Sequence, residues 1–166
     1  MKSARISLFS RVLAAAAVVA ATMSAHAQKA AAEPLVRVTL EARKVVPAAN
    51  GRETLSSADA VRPGDVIEYA ATYRNTTRDV VRNLEATLPI PQHTELVAGS
   101  ARPAGVRASL DAREFAAPPL KRKTVIDGRE TIEAIPLREY RFLRWQPVTL
   151  AAEAALTFTA RVRVVE

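Results

Sequence analysis

Beyond residue 34, apolar and polar residues alternate along much of the chain, with a period of two that is typical of β-strands burying one face. The segment from Leu35 to Val46 and the segment from Ala155 to Val165 show this alternation over the greatest length. The apolar sides carry Val36, Val38, Leu40 and Ala42 in the first segment and Leu156, Phe158, Ala160, Val162 and Val164 in the second. The polar sides carry Arg37, Thr39, Glu41 and Arg43, and Thr157, Thr159, Arg161 and Arg163. Both segments are therefore predicted to be half-buried strands.

Shorter apolar runs separated by turn residues predict further strands between these two. They are Asp65–Asn75, Val80–Leu88, Thr94–Ala98, Gly105–Leu110, Glu114–Ala116, Thr124–Ile126, Glu130–Ile132 and Tyr140–Trp145. Asp127-Gly128 is a strong signal for a two-residue hairpin. The polar stretch before Asp65 is predicted to be a long loop, part of which crosses between sheets. The segment from Ser109 to Phe115 has a short helix as its alternative.

The number and spacing of these runs predict the fold class. Seven or more short strands, with turn signals about every 8 to 12 residues and no long helical period, favour an all-β antiparallel sandwich. A closed barrel is the alternative. The sandwich is preferred because several strands have one strongly apolar and one charged face, as two packed sheets require. Residues 35–166 are thus predicted to form one β-sandwich domain.

The first 27 residues have the layout of a secretory signal peptide. An apolar stretch from Val12 to Thr22 leads to Ala25-His26-Ala27, a small-x-small cleavage site before Gln28. Three basic residues precede it, namely Lys2, Arg5 and Arg11. An amino-terminal membrane anchor is the alternative, but about 11 apolar residues fall short of the roughly 20 that a spanning helix needs. We therefore predict cleavage after residue 27, a flexible lead over residues 28–34, contact with the membrane only during export, and a periplasmic, extracellular or cell-surface location.

Charge and cysteine content exclude two classes of function. The leader holds three of the 24 basic residues and no acidic one, so its removal leaves 21 basic against 17 acidic residues, a net charge of +4 instead of +7. A balance of +4 does not indicate a nucleic-acid module. The chain has no cysteine, which excludes disulfides and thiol redox chemistry.

Several short motifs follow one another in a characteristic order. They are Arg62-Pro63-Gly64-Asp65-Val66-Ile67-Glu68-Tyr69, Tyr73-Arg74-Asn75-Thr76, Leu88-Pro89-Ile90-Pro91, Leu143-Arg144-Trp145 and the closing strand Leu156–Val164. This order resembles the bacterial conserved-repeat family known as domain of unknown function eleven, over Leu35–Val164. The resemblance implies an immunoglobulin-like sandwich of secreted and cell-surface proteins, with a binding or structural role and no named reaction. The chain departs from the family at Asp111-Ala112-Arg113 and Ala151-Ala152-Glu153-Ala154, where the family usually has a glycine-rich turn and a proline-glycine turn.

No catalytic, cofactor-binding or metal-binding residue is predicted. His93 is the one histidine left after the leader is removed, and it lies in a loop where nothing identifies the orienting partner that general-base work needs. One histidine without cysteine disfavours a zinc site, and isolated glycines form no phosphate cradle. A hydrolase that uses Glu130 and Glu133 is a minor alternative, because both are expected to face solvent opposite Lys121–Lys123.

Arginine and tryptophan residues bear on binding. Arg161 and Arg163 would form a cationic stripe with Arg141 and Arg144 if their strands were neighbours, although a solvated sheet face is the favoured interpretation. Trp145 is expected to be the core tryptophan of the sandwich, with sugar stacking as the alternative. We therefore expect an exported, non-catalytic module with a structural or protein-interaction role, whose partner is an envelope or surface protein. The alternative partner is an acidic polysaccharide bound by the arginine-rich face.

Overall fold

The computed structural model of the protein describes residues 35–48 and 51–166. The predicted signal peptide, residues 1–27, and the predicted lead, residues 28–34, lie outside the described residues. Over the part of the chain that is described, no helix has the length and apolar character needed to cross a bilayer.

The described chain forms ten β-strands and one short 3-10 helix. The strands are β1 (Val36–Pro47), β2 (Glu53–Ser57), β3 (Val66–Asn75), β4 (Val81–Pro89), β5 (Thr94–Leu96), β6 (Arg107–Ser109), β7 (Lys121–Ile126), β8 (Arg129–Ala134), β9 (Phe142–Leu150) and β10 (Ala155–Val164). The 3-10 helix, Leu137–Glu139, connects β8 to β9.

The strands form a five-stranded sheet, a three-stranded sheet and a two-stranded hairpin. The five-stranded sheet has the order β2-β1-β3-β10-β5, the three-stranded sheet has the order β4-β9-β6, and β7 pairs with β8. All pairings between these strands are antiparallel. The predicted all-β antiparallel sandwich of seven or more strands is therefore confirmed. The last strand, β10, pairs with β3 in the same sheet as β1, whereas in immunoglobulin constant domains the last strand belongs to the opposite sheet.

The core lies between the inner faces of the two larger sheets. The side chains of Ile67, Ala71, Phe158, Ala160 and Val162 come from β3 and β10, and those of Ala86, Leu88, Leu143, Trp145 and Leu150 come from β4 and β9. Trp145 is buried, as predicted, and its ring lies 4.9 Å from that of Phe158. The indole N–H of Trp145 donates to the carbonyl of Pro103 over 2.8 Å. The indole ring is therefore buried in the core, where it cannot stack on a sugar.

The exposure of β1 differs from the prediction. The strand forms where its alternation predicts, but Val38 is 53% exposed and Leu40 is 50% exposed. Both side chains lie on the face of the sheet that also carries the buried Tyr73 and Ala71, since they are their register partners. The three-stranded sheet packs against β3 and β10 and leaves the neighbouring β1 uncovered. The prediction that β1 is half-buried is therefore wrong over its first half.

The connection between β1 and β3 also differs from the prediction. The stretch predicted to be a loop crossing between sheets contains β2, which pairs with the second half of β1. Because β1 and β3 are neighbours in one sheet, the connection has no second sheet to reach. The helix alternative for Ser109–Phe115 is not realised, and the predicted strand Glu114–Ala116 is reduced to one bridge between Ala116 and Ala108.

The Pro63-Gly64-Asp65 motif forms the turn that starts β3. Gly64 has a φ of 92°, which the third position of a type II turn requires, and Pro63 precedes it in the position that proline favours. The carboxylate of Asp65 accepts the N–H of Arg62 over 2.8 Å and pairs with the ammonium of Lys44 over 2.7 Å. The hydrogen bond from Lys44, and then that from Arg62, hold the pKa of Asp65 below its ordinary value of 3.8.

Asn75 joins two turns at the other end of β3. Its side chain is fully buried, and its amide group donates to the carbonyls of Asp79, over 2.6 Å, and Ala151, over 2.9 Å. Its side-chain oxygen accepts the backbone N–H of Thr77 over 2.9 Å. One asparagine thereby ties the β3–β4 turn to the β9–β10 turn, which explains a polar residue at a fully buried position.

Candidate functional site

An apolar cavity of about 690 Å³ opens beside the base of the β7–β8 hairpin. Its walls are the loop after β5, Pro118-Pro119, the segment Ala134–Leu137, and the side chains of Tyr140 and Leu143. A volume of this size lies within the range of about 300 to 1,000 Å³ that is usual for binding pockets. The cavity is therefore large enough to receive a side chain cluster or a small apolar ligand.

Backbone hydrogen bonds hold the walls of this cavity in place. In the loop after β5, Val97 donates to Arg161 over 2.9 Å, and Arg102 and Thr159 exchange hydrogen bonds of 2.8 and 2.9 Å. At the base of the hairpin, Ile135 donates to the carbonyl of Leu120 over 2.8 Å. The cavity is thus built on β10 and on the hairpin base, which are both anchored to the core.

The polar side chains Arg102 and Tyr140 in the cavity walls form hydrogen bonds within the protein. The guanidinium of Arg102 donates to the carbonyls of Gly99, over 2.7 Å, and Ala101, over 2.8 Å. The buried hydroxyl of Tyr140 accepts the N–H of Leu120 over 2.7 Å. None of the lining residues, all of which belong to the described chain, is a serine, histidine, aspartate or glutamate. A ligand in this cavity would therefore be bound mainly through apolar contacts and complementary shape.

The β7–β8 hairpin carries an exposed apolar face that leads into this cavity. Asp127 and Gly128 have φ values of 51° and 75°, as the predicted two-residue turn requires. Because side chains alternate across a strand, Val125, Ile132 and Ala134 share one face of the hairpin. Val125 is 70% exposed and Ile132 is 66% exposed, while Ala134 lines the cavity. We call Val125, Ile132 and Ala134 the hairpin face.

Glu130 and Glu133 lie on opposite faces of the hairpin. Residues three apart in a strand point to opposite faces, so β8 directs the two carboxylates away from each other. Glu130 lies 3.6 Å from the ammonium of Lys123, and both side chains are 75% exposed. Glu133 is the register partner of Arg122. Glu130 is exposed beside Lys123 as expected, although its register partner is Val125, whereas Glu133 lies opposite Arg122 as expected but is only partly exposed.

The four arginines considered as a stripe lie on two different sheets. Arg161 and Arg163 belong to β10 in the five-stranded sheet, whereas Arg144 belongs to β9 in the three-stranded sheet and Arg141 directly precedes that strand. Their strands are not neighbours, so the condition for a single stripe is not met.

Arg161 and Arg144 both form ion pairs within the protein. Arg161 pairs with Glu68 over 2.9 Å and with Glu53 over 2.6 Å, and the hydrogen bond to Glu68, followed by that to Glu53, raises the pKa of Arg161. Arg144 pairs with Glu85 over 2.8 Å and lies over the ring of Phe115. The outer face around Arg161 is thus an ion-pair network with acidic members, which weakens its attraction for an acidic polymer.

His93 lies in the turn before β5, where it is exposed and has a φ of 57°. Its backbone carbonyl accepts the N–H of Val165 over 2.9 Å. Its role in the structure is therefore that of a turn residue. Within residues 35–48 and 51–166, no group of three or more histidine, cysteine, aspartate or glutamate residues is arranged to hold a metal ion.

The chain was compared with known proteins in three ways. A scan against protein-family models found no match, and the searches of curated proteins and of solved structures found no similar protein.

The apolar cavity has no counterpart in the sequence analysis. Its lining residues come from a loop, a proline pair, the hairpin base and the start of β9, lie up to 47 residues apart in the chain and show no common period. The available signal was the apolar content of the predicted hairpin, since Val125 and Ile132 are apolar in strands that otherwise consist largely of charged and polar residues.

Proposed function

We propose that this protein is an exported, non-catalytic, immunoglobulin-like module that binds another protein of the bacterial envelope or surface. The observation that carries the proposal is the exposed hairpin face, which continues into the apolar cavity. The resemblance to the conserved-repeat family of secreted and cell-surface proteins supports the same role.

The hairpin face has the composition of an interface centre. Val125 and Ile132 are among the most exposed large apolar side chains of the described chain, and they project from the body of the sandwich. Burying one such side chain on binding is favourable by roughly 1.5 to 3 kcal/mol. Lys121 and Lys123 share this face by register, and so does Glu130, which lies 3.6 Å from Lys123. A partner segment with apolar anchors and an acidic residue near Lys121 would complement this face.

The side chains that the sequence offers for catalysis are separated in the fold. Glu130 and Glu133 lie on opposite faces of the hairpin, His93 lies in an exposed turn, and the cavity is lined by apolar groups. These placements support a role in binding.

Site-specific photocrosslinking in a bacterial host tests the proposal. A photoreactive amino acid at Val125 should yield a covalent adduct with one protein partner, while the same residue at Thr131, on the opposite face of the hairpin, should not. The Ile132→Asp substitution should abolish the adduct at position 125, because it places a charge on the hairpin face. Equal adducts at both positions, or none at position 125, would contradict the proposal.

Export is tested separately. The amino terminus of the protein recovered from the envelope or medium should be Gln28, as measured by mass spectrometry. An intact protein that still begins at Met1 would contradict the predicted cleavage and the proposed location.

A further inference from the structure

The outer edge of β1 has no partner strand over its first half. Strand β2 pairs with Arg43–Pro47 of β1 and with no earlier residue, so no strand of the described chain adds to the outer edge of β1 from Val36 to Ala42. The carbonyl of Leu35 accepts the N–H of Thr76, which shows that odd-numbered residues direct their backbone groups toward β3. The even-numbered residues, Val36, Val38, Leu40 and Ala42, therefore direct theirs toward the open edge.

Three other sheet edges of the described chain, those of β4, β5 and β6, are either protected or short. On the outer edge of β4, the hydroxyl of Tyr73 accepts the N–H of Thr87 and donates to its carbonyl, both over 2.8 Å. The same strand has register shifts between Val81 and Ala86 and ends in Pro89, two features that discourage further pairing. Strands β5 and β6 are three residues long. The first half of β1 is longer, regular and apolar on its exposed inner face, with Val38 and Leu40 each about half exposed.

We propose that this edge joins two copies of the protein, which pair antiparallel through Val36–Ala42 around a two-fold axis at Thr39. The sequence of this edge, Val36–Ala42, is self-complementary about that residue. On the inner face, Val38 lies opposite Leu40 of the second copy, and the two residues exchange both of their backbone hydrogen bonds. On the outer face, Arg37 lies opposite Glu41 of the second copy, and the symmetry repeats this ion pair. Within one copy Glu41 also lies 3.3 Å from the guanidinium of Arg43, and both of these side chains are more than half exposed. The two five-stranded sheets then become one continuous sheet.

The charges select this register over its neighbours. Moving the axis to Leu40 places Arg37 opposite Arg43 of the second copy, which is a like-charge pair. Moving the axis to Val38 places Arg37 opposite Thr39 and leaves no ion pair. Pairing at Thr39 also uses the full length of the unpaired edge, because Ala42 lies opposite Val36 and β2 occupies β1 from Arg43 onward. Charge complementarity and the length of the open edge therefore point to a second copy as the occupant.

Charge exchange tests the pairing in the protein lacking its leader, residues 28–166. Sedimentation equilibrium should show a dimer at about 100 µM protein. At that concentration a dimer with a micromolar Kd is almost fully formed. Glu41→Arg places two arginines opposite each other on each side of the axis, and Arg37→Glu does the same with two glutamates. Each single variant should weaken dimerisation by roughly tenfold or more, because opposite-charge pairs become like-charge pairs at two positions. An equimolar mixture of the two variants should form a heterodimer, since every facing pair is then of opposite charge.

Controls separate the edge from the hairpin and from folding. Leu40→Lys should also give a monomer, whereas Leu55→Lys, at another exposed leucine on β2, should leave the dimer intact. Thermal unfolding verifies that each variant is folded. If the wild-type protein is a monomer at about 100 µM, the proposal is overturned. The edge of β1 would then be open to a strand of another protein. A dimer that survives Glu41→Arg and Leu40→Lys but is lost in Ile132→Asp also overturns it. The proposal does not depend on the proposed function, because the photocrosslinks report the hairpin and these variants report β1.

Discussion

Replacement of Trp145 by alanine is the most direct test of the sandwich core. Trp145 is 3% exposed and packs against Phe158, whose ring also makes an edge contact with that of Tyr73 at 5.7 Å. The substitution therefore removes the side chain that links the inner faces of β9 and β10. Its indole hydrogen bond to Pro103 also anchors the loop after β5, which forms a wall of the apolar cavity.

The expected loss of stability follows from the area that the ring buries. Truncation to alanine removes roughly 150 Å² of buried apolar surface, which at about 25 cal/mol per Å² is worth about 4 kcal/mol. The carbonyl of Pro103 is in an exposed residue and can be hydrated, so the lost hydrogen bond adds at most about 1 kcal/mol. The total of about 4 to 5 kcal/mol agrees with the range of about 3 to 5 kcal/mol for large aromatic truncations.

Urea unfolding of residues 28–166 measures this loss. Far-ultraviolet circular dichroism is the suitable probe, because the substitution removes the only tryptophan of the chain. With a slope of about 1.5 to 2 kcal/mol per molar urea, the midpoint should fall by roughly 2 to 3 M. Trp145→Phe is the matched control and should lose much less, since an aromatic ring still faces Phe158. A loss below about 1 kcal/mol for Trp145→Ala would mean that the ring is at the surface and would refute the sandwich packing described above.

Three further predictions concern the turns. Asn75→Ala should lower the free energy of unfolding by about 2 to 3 kcal/mol in urea titrations, because it removes the hydrogen bonds by which one fully buried side chain joins the two turns; a loss below about 0.5 kcal/mol would contradict this. Asp65→Asn should destabilise the protein at neutral pH. Because the folded pKa of Asp65 lies below 3.8, its contribution is present above that value and is lost as the pH falls through the folded pKa, so the difference from wild type should shrink in acid; a constant difference would contradict the ion pair. Glu153→Gly should leave stability unchanged or raise it by up to about 1 kcal/mol, because Glu153 has a φ of 56° that glycine adopts without strain. A clear loss in thermal unfolding would contradict that prediction.

Two turns, Asp111-Ala112-Arg113 and Ala151-Ala152-Glu153-Ala154, lack the glycine that the resemblance leads one to expect. Ala112 and Glu153 lie in those turns, and both have positive φ values, 67° and 56°. Glycine adopts such values freely, whereas other residues pay a conformational penalty of roughly 1 to 2 kcal/mol. Both turns thus have a left-handed backbone at a residue other than glycine.

The two proposed surfaces lie on different elements. The hairpin face belongs to β7 and β8, and the self-pairing edge belongs to β1. In these proposals, β1 serves assembly and the projecting hairpin serves recognition of a partner. Variants of one surface are not expected to change the other, which allows the two proposals to be tested in the same protein.

Local properties of the sequence determined the strands and several turns of this protein. The period of two in β1, β3 and β10 follows from the backbone pleat, and Pro63-Gly64 and Asp127-Gly128 specify their turns through the φ angles that glycine permits. The burial of Trp145 was also predictable, because its strand is apolar on that side. The separation of Glu130 from Glu133 follows from the same period and needed no structure.

Only the tertiary structure decided which apolar faces are covered and which charges meet. Val38 and Phe158 have equivalent positions in alternating strands, yet one is half exposed and the other is buried, because the second sheet has three strands and packs over β3 and β10. Arg161 and Arg144 are separated because their strands, consecutive in the chain, enter different sheets. Strand pairing and sheet packing depend on contacts between residues far apart in the chain, and a local alternation carries no information about them.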